Sequence, residues 1–181
     1  MKKRTALILA VLMAQFIVAQ DFNASMAEIM KNMKDYTIEM VNLMPQEKFD
    51  YKPTDSVRTF REQVQHMIGT NHFLLNYYLK GNEESSRKED FQKAFSYAGK
   101  MRKSELNQLL EEQFDQSISF FSNASAEHYG RTFIFGTLDE PVVKDYYTAC
   151  MLVRDHITHH RAQLIAYLRQ NSIKPIQFRG F

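Results

Sequence analysis

Four stretches of the chain carry apolar residues at helical spacing, separated by polar, glycine- and proline-bearing segments. In the first, Met26, Met30, Met33, Met40 and Met44 recur at steps of three, four or seven. Such steps fall on one stripe of a helix and predict an element over about 22–43, with Pro45 just past its end. A row of thioethers also suits copper(I) in exported proteins. Core packing is the expected use, because methionine fills irregular gaps. The second stripe holds Phe60, Val64, Met67, Ile68, Leu75 and Tyr78. It predicts a helix over about 56–80, with Ser56 as N-cap and Gly81 as terminator. Phe73 and Tyr77 project elsewhere, so this helix buries two faces.

Leu106, Leu109, Leu110, Phe114, Ile118 and Phe121 give a period of about 3.6 and predict a third helix over about 102–123. The segment EESSRKED before it reads as a solvated loop. EHYGRTFIFGTLDEP (127–141) has two glycines and short apolar runs, which fit either a small hairpin or an irregular crossover. A fourth helix is predicted over about 142–171, with Pro141 at its first position and Pro175 preventing continuation. The expected fold is all-α: a four-helix bundle with one connection longer than the rest.

Composition alters this picture mainly at the N-terminus. Lys2, Lys3 and Arg4 precede an apolar run over residues 5–19. A run of that length matches a secretory signal and falls short of a membrane span. The expected organisation is a signal peptide at 1–20 and one exported domain at 21–181, periplasmic or secreted, with no stable membrane insertion after cleavage. Removing residues 1–20 changes 23 basic against 21 acidic residues to 20 against 21. A nearly neutral domain argues against non-specific nucleic-acid binding. The single cysteine, Cys150, excludes an internal disulfide and reads as a small buried hydrophobe. Asn23-Ala-Ser and Asn123-Ala-Ser match the glycosylation triplet, which is common by chance.

The candidate chemistry lies in RDHITHHRAQ (154–163). At about 100° per residue, His156 and His160 share a face with Ala149, Val153, Ile157, Leu164 and Tyr167. Gln163 lies at its edge, and His159 points to the side. Two imidazoles one turn apart on a core-facing stripe need partners, because burying them unpaired is costly. Two histidines at this spacing can reach one divalent ion, and imidazole suits zinc, nickel, copper or iron. The alternative is a pair of core histidines bonded to side chains across the bundle. The HExxH glutamate of metalloproteases is missing. Asp155 and His159 are spaced as a surface pair or as support for the site. Gln163 and Tyr167 face the pair. A further ligand would come from His66, His72, His128 or His159; periodicity slightly favours His72 and does not decide.

LMPQEKFDYKPTDSVRTFREQVQHMIG, followed by DHITHHRAQLIAYLRQNSIKP, resembles the DinB-like (YfiT-like) superfamily over essentially the whole domain. The resemblance implies a four-helix bundle and one divalent metal, zinc or nickel, held by three histidines. Two come from the last helix and one from the second. By the F-x-x-Q-x-x-H and D-H-x-x-H-H-R-x-Q-L patterns these are His66, His156 and His160, with His159 at a position that usually does not ligate. Three neutral ligands leave room for water or substrate. The expected activity is metal-dependent hydrolysis of an unidentified small molecule, with metal-activated water as nucleophile. The alternatives are a non-catalytic metal- or ligand-binding module, and thiol transfer as in some relatives, which export disfavours. Dimers are common among relatives, so the resemblance implies a homodimer; no stripe in the sequence marks its interface.

Overall fold

The computed structural model describes residues 2–81, 92, 101–136 and 141–180, with side chains from residue 22 onward except at 126, 135, 136 and 141. The EESSRKED segment, expected as a solvated loop, lies outside the described residues, and so do the side chains of residues 2–21. The long helices are α1 (Lys2–Leu43), α2 (Phe60–Phe73), α3 (Lys103–Asn123) and α4 (Tyr146–Gln170). Helix α1 packs on α3 and α4, and α2 packs on α4 and α3. Helix α1 therefore sits diagonally across from α2, and α3 from α4, in a four-helix bundle whose consecutive helices α2 and α3 are neighbours. Among the described residues, no helix is long and apolar enough to cross a membrane.

The methionine stripe of α1 is core. Met26, Met30, Met33, Met40 and Met44 are all buried, against Phe60, Leu106, Phe114, Phe121 and Leu164 among others. Each such side chain contributes about 1.5–3 kcal/mol on leaving water. Buried Asn23 donates to the Ala124 carbonyl and accepts from the Tyr146 hydroxyl. The first glycosylation triplet is therefore closed off by the contacts that tie α1 to the start of α4.

Helix α2 begins at Phe60, later than Ser56. The cap is Thr59, whose side chain accepts from the Glu62 N–H, while Glu62 accepts from the Thr59 N–H at 2.7 Å. This capping box satisfies two helix-end donors at once. The Phe60 and Arg61 N–H groups go to the carbonyls of Tyr51 and Phe49, so residues 49–59 fold back as a loop. After Phe73 the helix widens into a π-turn, Leu74–Leu79. It ends before Gly81, whose φ of 69° is the left-handed value expected of a terminator.

Residues 132–145 form a hairpin. Strand β1 (Thr132–Gly136) pairs antiparallel with β2 (Pro141–Asp145), Ile134 opposite Val143. Pro141 therefore opens a strand and not α4. The β-branched Val142 and Val143 pair with Phe135 and Ile134. The helix starts after Asp145, whose carboxylate accepts from the Thr148 N–H at 2.7 Å.

Candidate metal centre

His66 comes from the second turn of α2, and His156 and His160 come from adjacent turns of α4, which packs against it. One potential ligand atom from each lies within 4.8 Å of the others. The ring centroids are 4.4 Å apart for His156–His160, 4.6 Å for His66–His160 and 5.4 Å for His66–His156. His160 is buried, and the other two are half-buried.

Three imidazoles this close disfavour protonation. Burial, then the charges of Arg58 and the neighbouring histidines, hold His66 down to about 4. Burial, then His160 and His66, takes His156 to about 3. His160 is also lowered, by burial first, although its bond to Gln163 opposes the shift. All three rings are therefore neutral near pH 7, the state a metal requires.

Gln163 orients the site. Its amide oxygen lies 2.9 Å from His160 Nδ1, and its amide nitrogen lies 3.0 Å from His159 Nε2. Oxygen accepts and nitrogen donates, so His160 carries its proton on Nδ1 and keeps the Nε2 lone pair free. The group left without a partner is His156 Nδ1, which is buried and makes no hydrogen bond. An orphaned nitrogen beside two neutral imidazoles is a set of donors lacking an acceptor, and it fits a divalent cation. Replacing Gln163 with Leu should lower zinc affinity about 10–100-fold, the usual cost of losing an orienting partner. Competition with a chromophoric chelator measures it.

The other histidines are elsewhere. His72, which the helical wheel favoured, is buried against α3 and meets Asn76 at 3.1 Å and Gln113 at 3.3 Å. It is a core histidine with partners. His128 lies in the short turn Ala126–Gly130, beside Ser125. Asp155 does not pair with His159: Arg154 takes its carboxylate at 2.8 Å, and His159 turns to Gln163. Cys150 is buried, and burial pushes its thiol up to about 12, too high for a thiolate nucleophile.

Beside the histidines opens a cleft of about 730 Å³, lined by Pro53, Val57, Arg58, Gln63, Gln163 and Tyr167, among others. Gln163 thus touches both the cleft and His160. The Tyr167 hydroxyl donates to the Arg58 carbonyl and pins the 53–59 loop to α4. Gln63 is the glutamine of the F-x-x-Q-x-x-H pattern, whereas Arg58 carries no signal of its own in the sequence. The expected helix over about 56–80 takes Arg58 in as an ordinary helical position, whereas the structure leaves it in the loop ahead of α2.

The depressed values have a consequence for the protein without metal. In the unfolded chain His66 and His156 return to about 6.5 and take up protons that the folded state refuses. Between about pH 6.5 and 4 the unfolded state binds more protons, so stability rises with pH through that window. Urea midpoints of chelator-treated protein should be lower at pH 5.0 than at pH 7.0. The difference should shrink in a His66→Ala/His156→Ala double variant.

The fold and these side chains define a class: a four-helix bundle with a three-histidine cluster of metal-binding type beside an open cleft. The chain belongs to the DinB superfamily, whose family model matches residues 30–164 and so spans all three histidines. It is similar to the uncharacterized protein YjoA of Bacillus subtilis (strain 168), at 22% identity over 143 residues, covering 76% of this chain and 82% of that one. The crystal structure of a DinB-like protein, YjoA, from Bacillus subtilis matches with a TM-score of 0.64 at 17% identity. It covers 85% of this chain and 96% of that one, and it supports the shared fold.

Proposed function

We propose that this DinB-superfamily protein binds one divalent ion, zinc or nickel, through His66, His156 and His160, and hydrolyses a small molecule held in the adjoining cleft. The observation that carries the reading is the orphaned Nδ1 of His156 within the three-imidazole cluster. A divalent ion there supplies Lewis acidity, polarising a carbonyl and acidifying water. Three neutral protein ligands leave coordination positions for such molecules, as in catalytic sites. The chain's own residues do the rest. Gln163 holds His160 in its ligating tautomer, Tyr167 fixes the loop over the cleft, and Gln63 and Arg58 offer polar contacts to what enters. The high-lying Cys150 thiol favours hydrolysis over chemistry through a protein thiolate.

Metal analysis of purified protein, followed by a panel of esters, amides and lactones, tests the reading. Zinc- or nickel-loaded protein should turn over at least one class, and chelation should abolish turnover while the circular dichroism stays helical. Loss of helix on chelation would instead mark a structural ion. We further propose that residues 1–20 direct export, supported by Lys2, Lys3 and Arg4 ahead of the apolar run. N-terminal sequencing of protein recovered from a secreting host should begin at or near Asp21.

A further inference from the structure

The cleft beside the histidines has uneven charge commitments. Its two acids are engaged: Asp55 pairs with Lys52 at 2.9 Å, and Glu62 accepts from the Thr59 N–H at 2.7 Å. Arg58 lines the same cleft, is exposed, and has no carboxylate within ion-pair distance among the described residues. Its backbone is fixed, because Tyr167 holds its carbonyl. Its charge reaches all three histidines and works against their protonation. A dication on three neutral rings beside a guanidinium would place three positive charges together, and neither cleft carboxylate is ion-paired with Arg58 among the described residues. That arrangement favours an anionic guest between them.

Gln63 supplies a second, independent pointer. It lines the cleft, is only 4% exposed, and its amide oxygen is buried without a partner. A buried acceptor of this kind is satisfied by a donor on a bound molecule.

We propose that the cleft binds a small carboxylic acid carrying a hydroxyl or N–H group, its carboxylate held by Arg58 and its donor by Gln63. The inference rests on the hydrolytic reading and names its substrate class. Arginine suits the role because its planar fork can donate two parallel hydrogen bonds to a carboxylate.

Cobalt(II)-loaded full-length protein tests this: benzoate probes the carboxylate contact, with benzamide as its uncharged counterpart, and 4-hydroxybenzoate probes the donor contact. Tighter binding of 4-hydroxybenzoate than of benzoate, lost in Gln63→Leu, is expected, and equal binding overturns the Gln63 contact. Benzoate should perturb the visible cobalt spectrum at lower concentration than benzamide. Arg58→Gln should weaken benzoate binding about tenfold or more. The same change should leave cobalt affinity equal or higher, because a like charge has gone. Arg58→Lys should fall between the two, keeping the charge and losing the fork. Equal benzoate affinity in Arg58→Gln, or benzamide binding as tightly as benzoate, overturns the proposal. Failure to take up cobalt would defeat the metal reading by itself. In that event amide NMR of metal-free protein decides: benzoate-induced shifts at Arg58 and Gln63 that vanish in Arg58→Gln sustain the carboxylate site, and no shifts remove it.

Discussion

Replacing His156 with alanine should abolish stoichiometric zinc or nickel uptake while leaving the four helices folded. Two imidazoles from different helices would remain, too few for an ordinary protein site. The loss should exceed the about 10–100-fold expected for Gln163→Leu, which disturbs only the orientation of a ligand. In the metal-free protein two effects oppose each other. The substitution removes a buried nitrogen that has no partner, a group whose burial costs about 1–3 kcal/mol. It also opens a cavity of comparable cost. Metal-free stability should therefore change little, whereas metal-induced stabilisation should disappear. At a free metal concentration 100 times Kd, that stabilisation is about 2.7 kcal/mol. For a chain of this size it corresponds to roughly 5–10 °C in Tm.

Thermal melts with and without zinc read both quantities. His66→Ala and His160→Ala should lose metal uptake in the same way, and His160→Ala should also lower metal-free stability because it removes the Gln163 bond. His72→Ala provides the contrast: it should bind metal normally and melt earlier, because it leaves Asn76 and Gln113 without their imidazole partner in the core. If His156→Ala retained normal uptake, the ligand set would be wrong.

The two α4 histidines were legible in the sequence because their spacing and their apolar neighbours are both local. The third was not. His66 and His72 lie on one helix at different angles, and which of them meets α4 depends on how the helices are rotated against each other. Periodicity leaned to His72, which faces α3; only the family pattern pointed to His66. Helix ends were read where a single residue type sufficed, as at Gly81, and misread where side chains competed. Thr59 with Glu62 outcompetes Ser56, and Asp145 with Thr148 outcompetes Pro141. Both caps are visible as short motifs once the flanking loop and hairpin are known. Arg58 shows what local pattern cannot carry, since its significance comes from a tyrosine 109 positions away in sequence.

Phe60→Ala should be among the most destabilising single changes near the site, and it separates the ligand cleft from the metal cluster. Phe60 is fully buried, with its ring 5.2 Å from that of Phe49 and 6.2 Å from that of Tyr167. Truncating a core phenylalanine costs about 3–5 kcal/mol, a large share of the 5–15 kcal/mol that stabilises a typical domain. Urea unfolding should show a lower midpoint with an unchanged slope. The local consequence differs from the global one. Phe60 braces Tyr167, and Tyr167 holds the Arg58 carbonyl, so the truncation loosens the loop that presents the guanidinium. His66 lies further along α2, where Val64 and Met67 remain to pack the helix against the core. Cobalt uptake should therefore persist under folding conditions while benzoate binding weakens. Met30→Ala is the matched control: it is equally buried, lies on α1, and carries a comparable expected cost of about 2–5 kcal/mol. If Met30→Ala weakened benzoate binding as much as Phe60→Ala, the effect would be one of general stability. A loss confined to Phe60→Ala would show that the first turn of α2 holds the cleft in shape.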